Sequence, residues 1–300
     1  MIFKRYIFFI AVISTFVGCI AQKEQPQERL HLVVQHGVVS QRILRLLELA
    51  DVHANDSSLA SVVTATQAVW LRKPGQEYWH MKTLGDDVRA EAIRKECDQL
   101  HMLHEIKPAR LQYEHALLLG ATFETMVERM EYLIQCWNDG VRFNDIVLLA
   151  GARPASAEVR EVEQAFKEYA GIDHLPHAIE TETDMLLWIY QHCKMPEAMR
   201  QVPVVLVDIP MQMTKNQTLR RPNTADTIHG WLEKSPAIGP VLAISNQPFV
   251  LYQESVLKTV LPSAFDLDVI GNKAEENVEA GYLLDTLARI LYQEKQRLAL

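Results

Sequence analysis

The sequence contains little glycine, proline or cysteine and carries no excess of positive charge. With Gly 12 and Pro 13 in 300 residues, collagen-like and low-complexity chains are excluded. Four cysteines are too few for a disulfide scaffold of this length, and no Cys-x-x-Cys pair supports a zinc or redox site. Lys+Arg 30 against Asp+Glu 38 gives a net charge of −8. Nucleic acid is therefore a disfavoured partner, because its binders need a basic surface.

Several enzyme motifs are also missing. The sequence contains no G-x-G-x-x-G dinucleotide fingerprint, no P-loop and no G-x-S-x-G nucleophile turn. The histidine pairs His101/His104 and His174/His177 each have a spacing of three, but neither lies in the acidic helical context of a zinc site. The sequence thus indicates no metal site, and it does not identify a cofactor.

The amino terminus has the features of an export signal. Basic residues at positions 4 and 5 precede an apolar run, 6–18, which is too short to span a bilayer comfortably. Gly18-Cys19 resembles a bacterial lipobox, in which the Cys19 thiol receives a lipid. Cleavage after Ala21 and an uncleaved anchor are the alternatives. We predict that residues 1–21 direct export and that the protein is periplasmic or anchored to the membrane of a bacterial envelope.

Residues 22–110 predict a polar tether followed by a helical cap region. Apolar residues between Leu30 and Leu49 have nearly helical spacing, and Asn55-Asp56-Ser57-Ser58 provides a cap for a helix over Leu59–Leu71. A third helix is predicted from Asp86 to His104.

Residues 111–300 alternate between short apolar runs and helical segments. Continuous apolar runs are typical of strands buried on both faces of a parallel sheet. We therefore predict an α/β fold, a Rossmann-like, doubly wound, mostly parallel sheet of about five strands. The predicted strands are 116–119, 146–150, 204–207, 241–244 and 267–270, and the predicted helices are 123–138, 158–170, 183–192, 224–234, 248–260 and 276–293.

Ligands of such sheets bind at the carboxyl ends of the strands, so the polar residues there are the candidate site. After the first strand come Gly120, Ala121 and Thr122, which either bind an anion at a helix start or form only a tight turn. Arg129 follows in the next helix, as a site residue or as a salt-bridged surface residue.

Polar residues follow the other strands as well. Arg153 could bind a phosphate or carboxylate group of a ligand through two hydrogen bonds. Glu158 is either a ligand contact or a carboxylate that the start of the next helix favours by itself. Capping also accounts for part of the cluster around Asn223, but not for the two arginines beside it. The remaining candidates are Gly151, Asp208, Arg221, Thr224, Asp226, Ser245, Asn246 and Gln247.

The order of these motifs resembles the YdcF-like family, which includes the SanA and ElyC envelope proteins. The matching elements lie within residues 114–272: Leu119-Gly120-Ala121 with Arg129, then Leu149-Ala150-Gly151-Ala152 with Glu158 or Glu161, then Asp208 with Asn223-Thr224-Ala225-Asp226-Thr227, then Ile244-Ser245. The chain departs from the family pattern where Gln247 or Pro248 replaces a histidine and where Leu251 lies near the place of an arginine. The resemblance implies a divergent member with a Rossmann-like domain and a role in cell-envelope upkeep.

Two functions compete at this point. In the first, an envelope-anchored protein binds a small polar or anionic metabolite. Arg153 and Arg221 supply charge, Asn223 and Ser245 supply hydrogen bonds, and Asp226 or Glu158 supplies an acid/base or metal-facing carboxylate. Whether the ligand is also transformed stays open. In the second, the protein is a non-catalytic scaffold whose helical region docks an envelope protein partner through exposed Trp70, Trp79 and Trp231.

Overall fold

The computed structural model describes residues 29–73, 86–154, 167–169, 171, 179–214 and 216–299. The strands are β1 (Val34–Gln35), β2 (Val38–Val39), β3 (Gln112–Leu119), β4 (Arg142–Gly151), β5 (Val204–Ile209), β6 (Gln212–Met213), β7 (Leu219–Arg220), β8 (Pro240–Asn246) and β9 (Asp266–Asn272). The helices are α1 (Gln41–Leu49), α2 (Leu59–Val69), α3 (Asp87–Gln99), α4 (Phe123–Asn138), α5 (Glu182–His192), α6 (Glu197–Arg200), α7 (Thr224–Leu232), α8 (Val250–Val260) and α9 (Ala280–Arg297).

Five strands form one parallel sheet in the order β5-β4-β3-β8-β9. The chain starts at the centre with β3, moves outward through β4 and β5, and returns to add β8 and β9 on the other side. The strand order thus reverses between β3 and β8, which is the point where sheets of this type open a crevice for a ligand. The predicted fold class is confirmed.

The apolar runs form strands because both faces of the sheet are covered. Successive side chains of a strand point to opposite faces. Leu118 and Leu148 pack with α4 and α5 on one face, whereas Leu117 and Leu149 pack with α7 and α8 on the other. All four are buried, so an apolar layer covers each face of the central strands at these positions.

The amino-terminal region shares a hydrophobic core with the last helix described. Leu46 of α1, Val62 of α2 and Ile93 of α3 belong to the same buried cluster as Leu287 of α9 and Leu251 of α8. Ile106 also exchanges two backbone hydrogen bonds with Gly271, which adds a bridge to the β9 edge of the sheet. The helical region therefore packs as a layer against the α/β part of the chain.

Two sequence predictions were wrong in detail. The pattern between Leu30 and Leu49 predicted one helix, but it folds as a 3-10 helix (Arg29–Leu32), the hairpin β1–β2 and then α1. The hairpin turn has positive φ at His36 (51°) and Gly37 (76°), a backbone conformation that a helix cannot include. The segment between β5 and α7, for which no strand was predicted, contains a second hairpin, β6–β7.

Some of the predictions fall outside the described residues. Cys19, Glu158 and Glu161 are among these positions, as are most of the predicted helix 158–170 and the whole signal segment 1–21. Within the part of the chain that the structure describes, none of the helices combines the length and the hydrophobicity that crossing a membrane requires.

Candidate functional site

Arg129 of α4 crosses the point where the strand order reverses. Its guanidinium donates to the carbonyl oxygens of Leu119 (2.8 Å) and Gly120 (3.1 Å) at the end of β3. It also donates twice to the side-chain oxygen of Asn246 at the end of β8, at 3.1 and 2.8 Å. Only 2% of Arg129 is exposed, so its interpretation as a surface residue was wrong.

The acceptors of Arg129 are neutral, so its charge is buried without an ion-pair partner in hydrogen-bond contact among the described residues. Burial lowers its pKa to about 10, while the negative charges of Glu182 and Glu128 act in the opposite direction. The guanidinium therefore stays positive at neutral pH, and it contributes positive potential beneath this edge of the sheet.

A buried carboxylate, that of Glu182, lies beside this arginine. Glu182 is the first residue of α5 and follows Thr181, whose hydroxyl accepts the Asp184 N–H in a capping box. The Glu182 N–H donates to the Arg153 carbonyl oxygen at 3.0 Å. This bond holds the start of α5 against the residues that follow β4, and it brings the Glu182 side chain to the strand ends.

Two glycines make room for this carboxylate and its surroundings. A Cβ atom on Gly120 would lie 2.2 Å from Glu182 Oε1 and 2.9 Å from the Leu149 carbonyl oxygen. A Cβ atom on Gly151 would lie 2.2 Å from Cγ of Pro222. The Gly151 N–H donates to Glu182 Oε1 over a long 3.4 Å. Both positions therefore require glycine because of close approach.

Two further arginines flank Glu182. Arg153 Nη1 lies 3.7 Å from Glu182 Oε2, which is an ion pair but too long for a hydrogen bond. The charge of Arg221, an exposed residue just before α7, also acts on Glu182. Toward the residues that the structure describes, neither of these two guanidinium groups donates a hydrogen bond.

Burial raises the pKa of Glu182, whereas Arg153, the Gly151 N–H, Arg129 and Arg221 lower it, and burial prevails. A carboxyl group with a raised pKa exchanges its proton closer to neutrality than an exposed glutamate does. The charges of three guanidinium groups thus act on this one carboxyl group.

The polar cluster around Asn223 is mainly a helix cap. Asn223 Oδ1 accepts the Asp226 N–H at 3.1 Å, and Asp226 accepts the Asn223 N–H at 2.8 Å in return. Asp226 is also bound by both terminal nitrogens of Arg220, which lowers the pKa of Asp226. Thr224 opens α7 and accepts the Thr227 hydroxyl at its carbonyl oxygen. The carboxylate of Asp226 is thus already paired.

Asp208 lies on β5, one strand further out. Its Oδ1 accepts the hydroxyl of Thr183 at 2.6 Å. Because Thr183 is the second residue of α5, this bond fixes the first turn of α5 to the β5 end. Asp208 is exposed and supports the position of Glu182 through Thr183.

The polar residues at the end of β8 and just after it lie in the protein interior. Ser245 is fully buried, and its hydroxyl makes only a 3.5 Å contact with the Asn246 carbonyl oxygen. Gln247 donates from Nε2 to the carbonyl oxygens of His101 and His104, at 2.8 Å each. Gln247 therefore ties β8 to the amino-terminal region and does not join the residues around Glu182.

The turn after β3 is partly buried at Ala121 and Thr122. Thr122 is the N-cap residue of α4, but its hydroxyl donates to the Thr125 hydroxyl at 3.0 Å and does not cap a backbone N–H. Ala121 packs against the apolar cluster of that sheet face. These two residues shape the turn that presents Gly120.

The structure therefore brings five of the predicted residues together around one side chain that sequence reasoning missed. They are Gly120, Arg129, Gly151, Arg153 and Arg221, and Asn246 is linked to them through Arg129. The missed side chain is Glu182, for which the available signal was the sequence Thr181-Glu182-Thr183-Asp184, a capping pattern at a helix start. Among the described residues, no group of three or more His, Cys, Asp or Glu side chains is arranged to hold a metal ion.

The aromatic residues proposed as a docking surface are not exposed where the structure describes them. Trp70 is 4% exposed and Trp231 is 1% exposed, both within apolar clusters. Trp79 lies outside the described residues. The scaffold hypothesis thereby loses the observation that favoured it.

Neither a family model nor a curated protein matches this chain. The resemblance to the YdcF-like family stays a prediction from the order of the motifs.

Proposed function

We propose that this protein binds a small anionic metabolite at the carboxyl edge of its sheet. Arg153 and Arg221 supply the charge, and Glu182 is the carboxyl group that faces the ligand. The observation that carries the proposal is that these two arginines flank the buried Glu182 while their donors have no hydrogen-bond acceptor among the described residues.

The position in the fold supports this proposal. In open α/β sheets, ligands bind outside the carboxyl ends of the strands, where the strand order reverses. Gly120 and Gly151 lie at the ends of the adjacent strands β3 and β4, next to the reversal between β3 and β8. The space over them is occupied by Glu182 and Pro222, which brings the Glu182 carboxyl group to the strand ends. Arg129 lies below and adds positive charge that no described carboxylate contacts.

The chemistry of the side chains favours an anion with two or more oxygens. A guanidinium group binds carboxylate and phosphate oxygens through two parallel hydrogen bonds. The charges of Arg153, Arg129 and Arg221 all act on Glu182, and positive groups at this edge favour a ligand of negative charge. Glu182 takes the place that the sequence analysis gave to Asp226, because Asp226 is already bound by Arg220.

The test is a ligand screen with matched variants. Thermal unfolding of the full chain is followed with phosphorylated and carboxylated metabolites, and hits are titrated calorimetrically. We expect Arg153→Gln and Arg221→Gln each to weaken binding at least about tenfold, since a hydrogen bond to a charged group contributes about 1.5–3 kcal/mol.

Arg45→Gln is the control, since Arg45 is exposed on α1 and its ion-pair partner among the described residues is Glu48. This variant should bind as the unaltered chain does. The proposal fails if no anion stabilises the unaltered chain, or if both site variants keep its affinity.

We further propose that the protein acts in the bacterial envelope, delivered there by residues 1–21 and anchored through Cys19. The support is the sequence of that segment, a basic pair, an apolar run and a lipobox-like Gly18-Cys19. In cell fractionation, the unaltered protein should sediment with membranes, and Cys19→Ala should release it or leave an uncleaved precursor. Recovery of the unaltered protein in the cytoplasmic fraction would contradict this location.

A further inference from the structure

The carboxylate of Glu182 receives positive charge from three separate parts of the fold. Arg129 comes from α4, Arg153 follows β4, and Arg221 precedes α7. On the remaining side lies β5, whose Asp208 is occupied by the Thr183 hydroxyl. The Glu182 carboxylate is thus stabilised by the charges of three arginines, at the edge where the proposed ligand binds.

Hydrogen bonds hold this carboxylate only weakly. Among the described residues, the hydrogen bond given to its oxygens is that of the Gly151 N–H at 3.4 Å, and Arg153 remains at 3.7 Å. A buried carboxylate is usually stabilised by several short hydrogen bonds. The charged form of Glu182 therefore depends chiefly on the surrounding positive potential.

A ligand anion at this edge would be attracted by the same positive groups that stabilise the Glu182 carboxylate. Its own negative charge would lie near Glu182, and its oxygens would accept hydrogen bonds from Arg153 and Arg221, whose donors have no acceptor among the described residues. A nearby like charge disfavours the ionised form of an acid. Burial already raises the pKa of Glu182 in the absence of a ligand, so the two effects act in the same direction.

We infer that binding of the anionic ligand is coupled to the uptake of one proton by Glu182. The proton comes from solvent and is bound at a carboxylate oxygen, so that the ligand replaces the negative charge that Glu182 loses. This inference rests on the proposed function, since it concerns the same site and the same ligand class.

The consequence is a pH-dependent affinity with a defined sign. Between the pKa of Glu182 in the free protein and its higher pKa in the complex, affinity falls as the pH rises, with a limiting slope of about tenfold per pH unit. A ligand that does not itself titrate in this range isolates the effect. Sulfate is such a probe, because its charge is constant at these pH values.

The experiment is calorimetric titration of the full chain with sulfate in buffers of different ionisation enthalpy, from about pH 5 to about pH 8, against sodium chloride at equal ionic strength. The unaltered chain should take up close to one proton per sulfate at some pH in this range. Glu182→Gln should take up none and should bind sulfate about tenfold more tightly at neutral pH, because one repulsive charge is gone.

The matched control is Glu180→Gln, two residues earlier and exposed, which should keep the proton uptake. Circular dichroism establishes that each variant is folded, and the uptake by the unaltered chain needs no variant at all. Sulfate binding without proton uptake, or unchanged uptake in Glu182→Gln, overturns the inference and leaves the proposed function standing. Absence of sulfate binding at every pH overturns the inference, whereas the proposed function fails only if none of the screened phosphorylated and carboxylated metabolites binds either.

Discussion

The guanidinium of Arg129 on α4 is bonded through two nitrogens to the side-chain oxygen of Asn246 at the end of β8. This pair joins two elements that are 117 residues apart in the chain. Since Arg129 also binds two carbonyl oxygens after β3, it closes the gap between β3 and β8 where the strand order reverses.

Replacing the Arg129 guanidinium tests how much its bonds across the β3–β8 gap contribute to the stability of the protein. Arg129→Lys keeps the charge but cannot reproduce the planar set of donors, so acceptors at Leu119, Gly120 or Asn246 lose their bonds. We expect the free energy of unfolding to fall by about 2 kcal/mol, as measured by urea denaturation. Arg94→Lys, at an i,i+3 ion pair with the exposed Glu91 on α3, should change it by less than about 0.5 kcal/mol. Equal midpoints for both variants would contradict the structural role of Arg129.

Gly120→Ala tests the close approach of Glu182. The new Cβ atom would collide with Glu182 Oε1, which can move, and with the Leu149 carbonyl oxygen, which belongs to β4. We expect a loss of about 1–3 kcal/mol in the free energy of unfolding and weaker sulfate binding. Gly140→Ala has open space but a φ of +101°, so it should cost about 1 kcal/mol through backbone strain and keep sulfate binding. Unchanged sulfate affinity in Gly120→Ala would contradict the place assigned to the site.

Asn223 distinguishes capping from ligand binding. Asn223→Ala removes the acceptor of the Asp226 N–H and should destabilise the protein by about 1 kcal/mol, whereas Asn223→Ser, another good cap, should be close to neutral. Sulfate affinity should be the same in the serine variant and the unaltered chain. A large loss of affinity in the serine variant would show that Asn223 contacts the ligand directly.

The stability of the protein should depend on pH through His115, which lies outside the candidate site. Its Nδ1 lies 2.9 Å from both oxygens of Asp145, and its Nε2 lies 2.8 Å from the Ala237 carbonyl oxygen. Both partners only accept, so both ring nitrogens carry a proton. Burial alone lowers the pKa of His115, but the bonds to Asp145 and Ala237 outweigh it, and the pKa is raised.

A raised pKa in the folded state stabilises the protein fully below the unfolded value of about 6.5, and this contribution is lost as the pH rises through the folded value. Asp145→Asn removes the main partner. The stability difference between the unaltered chain and this variant should therefore be largest at mildly acidic pH and shrink as the medium becomes alkaline, in urea unfolding at several pH values. Asp139→Asn, at an exposed helix end, should show a difference that does not change with pH. A constant difference for Asp145→Asn would contradict the ion pair.

The sheet could be predicted from sequence because its signals are local. Each of the five apolar runs is continuous, which is the pattern of a strand buried on both faces. Helix α4 begins at Phe123 and ends at Asn138, as predicted. The first hairpin was missed because strands of two residues, at Val34 and Val38, show no alternation. The turn at His36-Gly37 decides that segment instead.

The candidate site was only partly predictable because side-chain direction is set by tertiary packing. Parallel strands bring Arg153, Arg221 and Asn246 to one edge, which follows from topology. The same rule placed Gln247 there, yet its amide turns to the carbonyl oxygens of His101 and His104. Glu182 lies in the first helical turn, where a carboxylate normally needs no further explanation. Its proximity to three arginines becomes visible only in three dimensions.

The core that α1, α2 and α3 share with α9 has a consequence for biosynthesis. A ribosome synthesises those three helices early and α9 late. The apolar faces of the three helices therefore remain exposed while the whole sheet is being synthesised. Any step that delays or removes the late helix would leave both groups of side chains open to water, and to chaperones, at the same time.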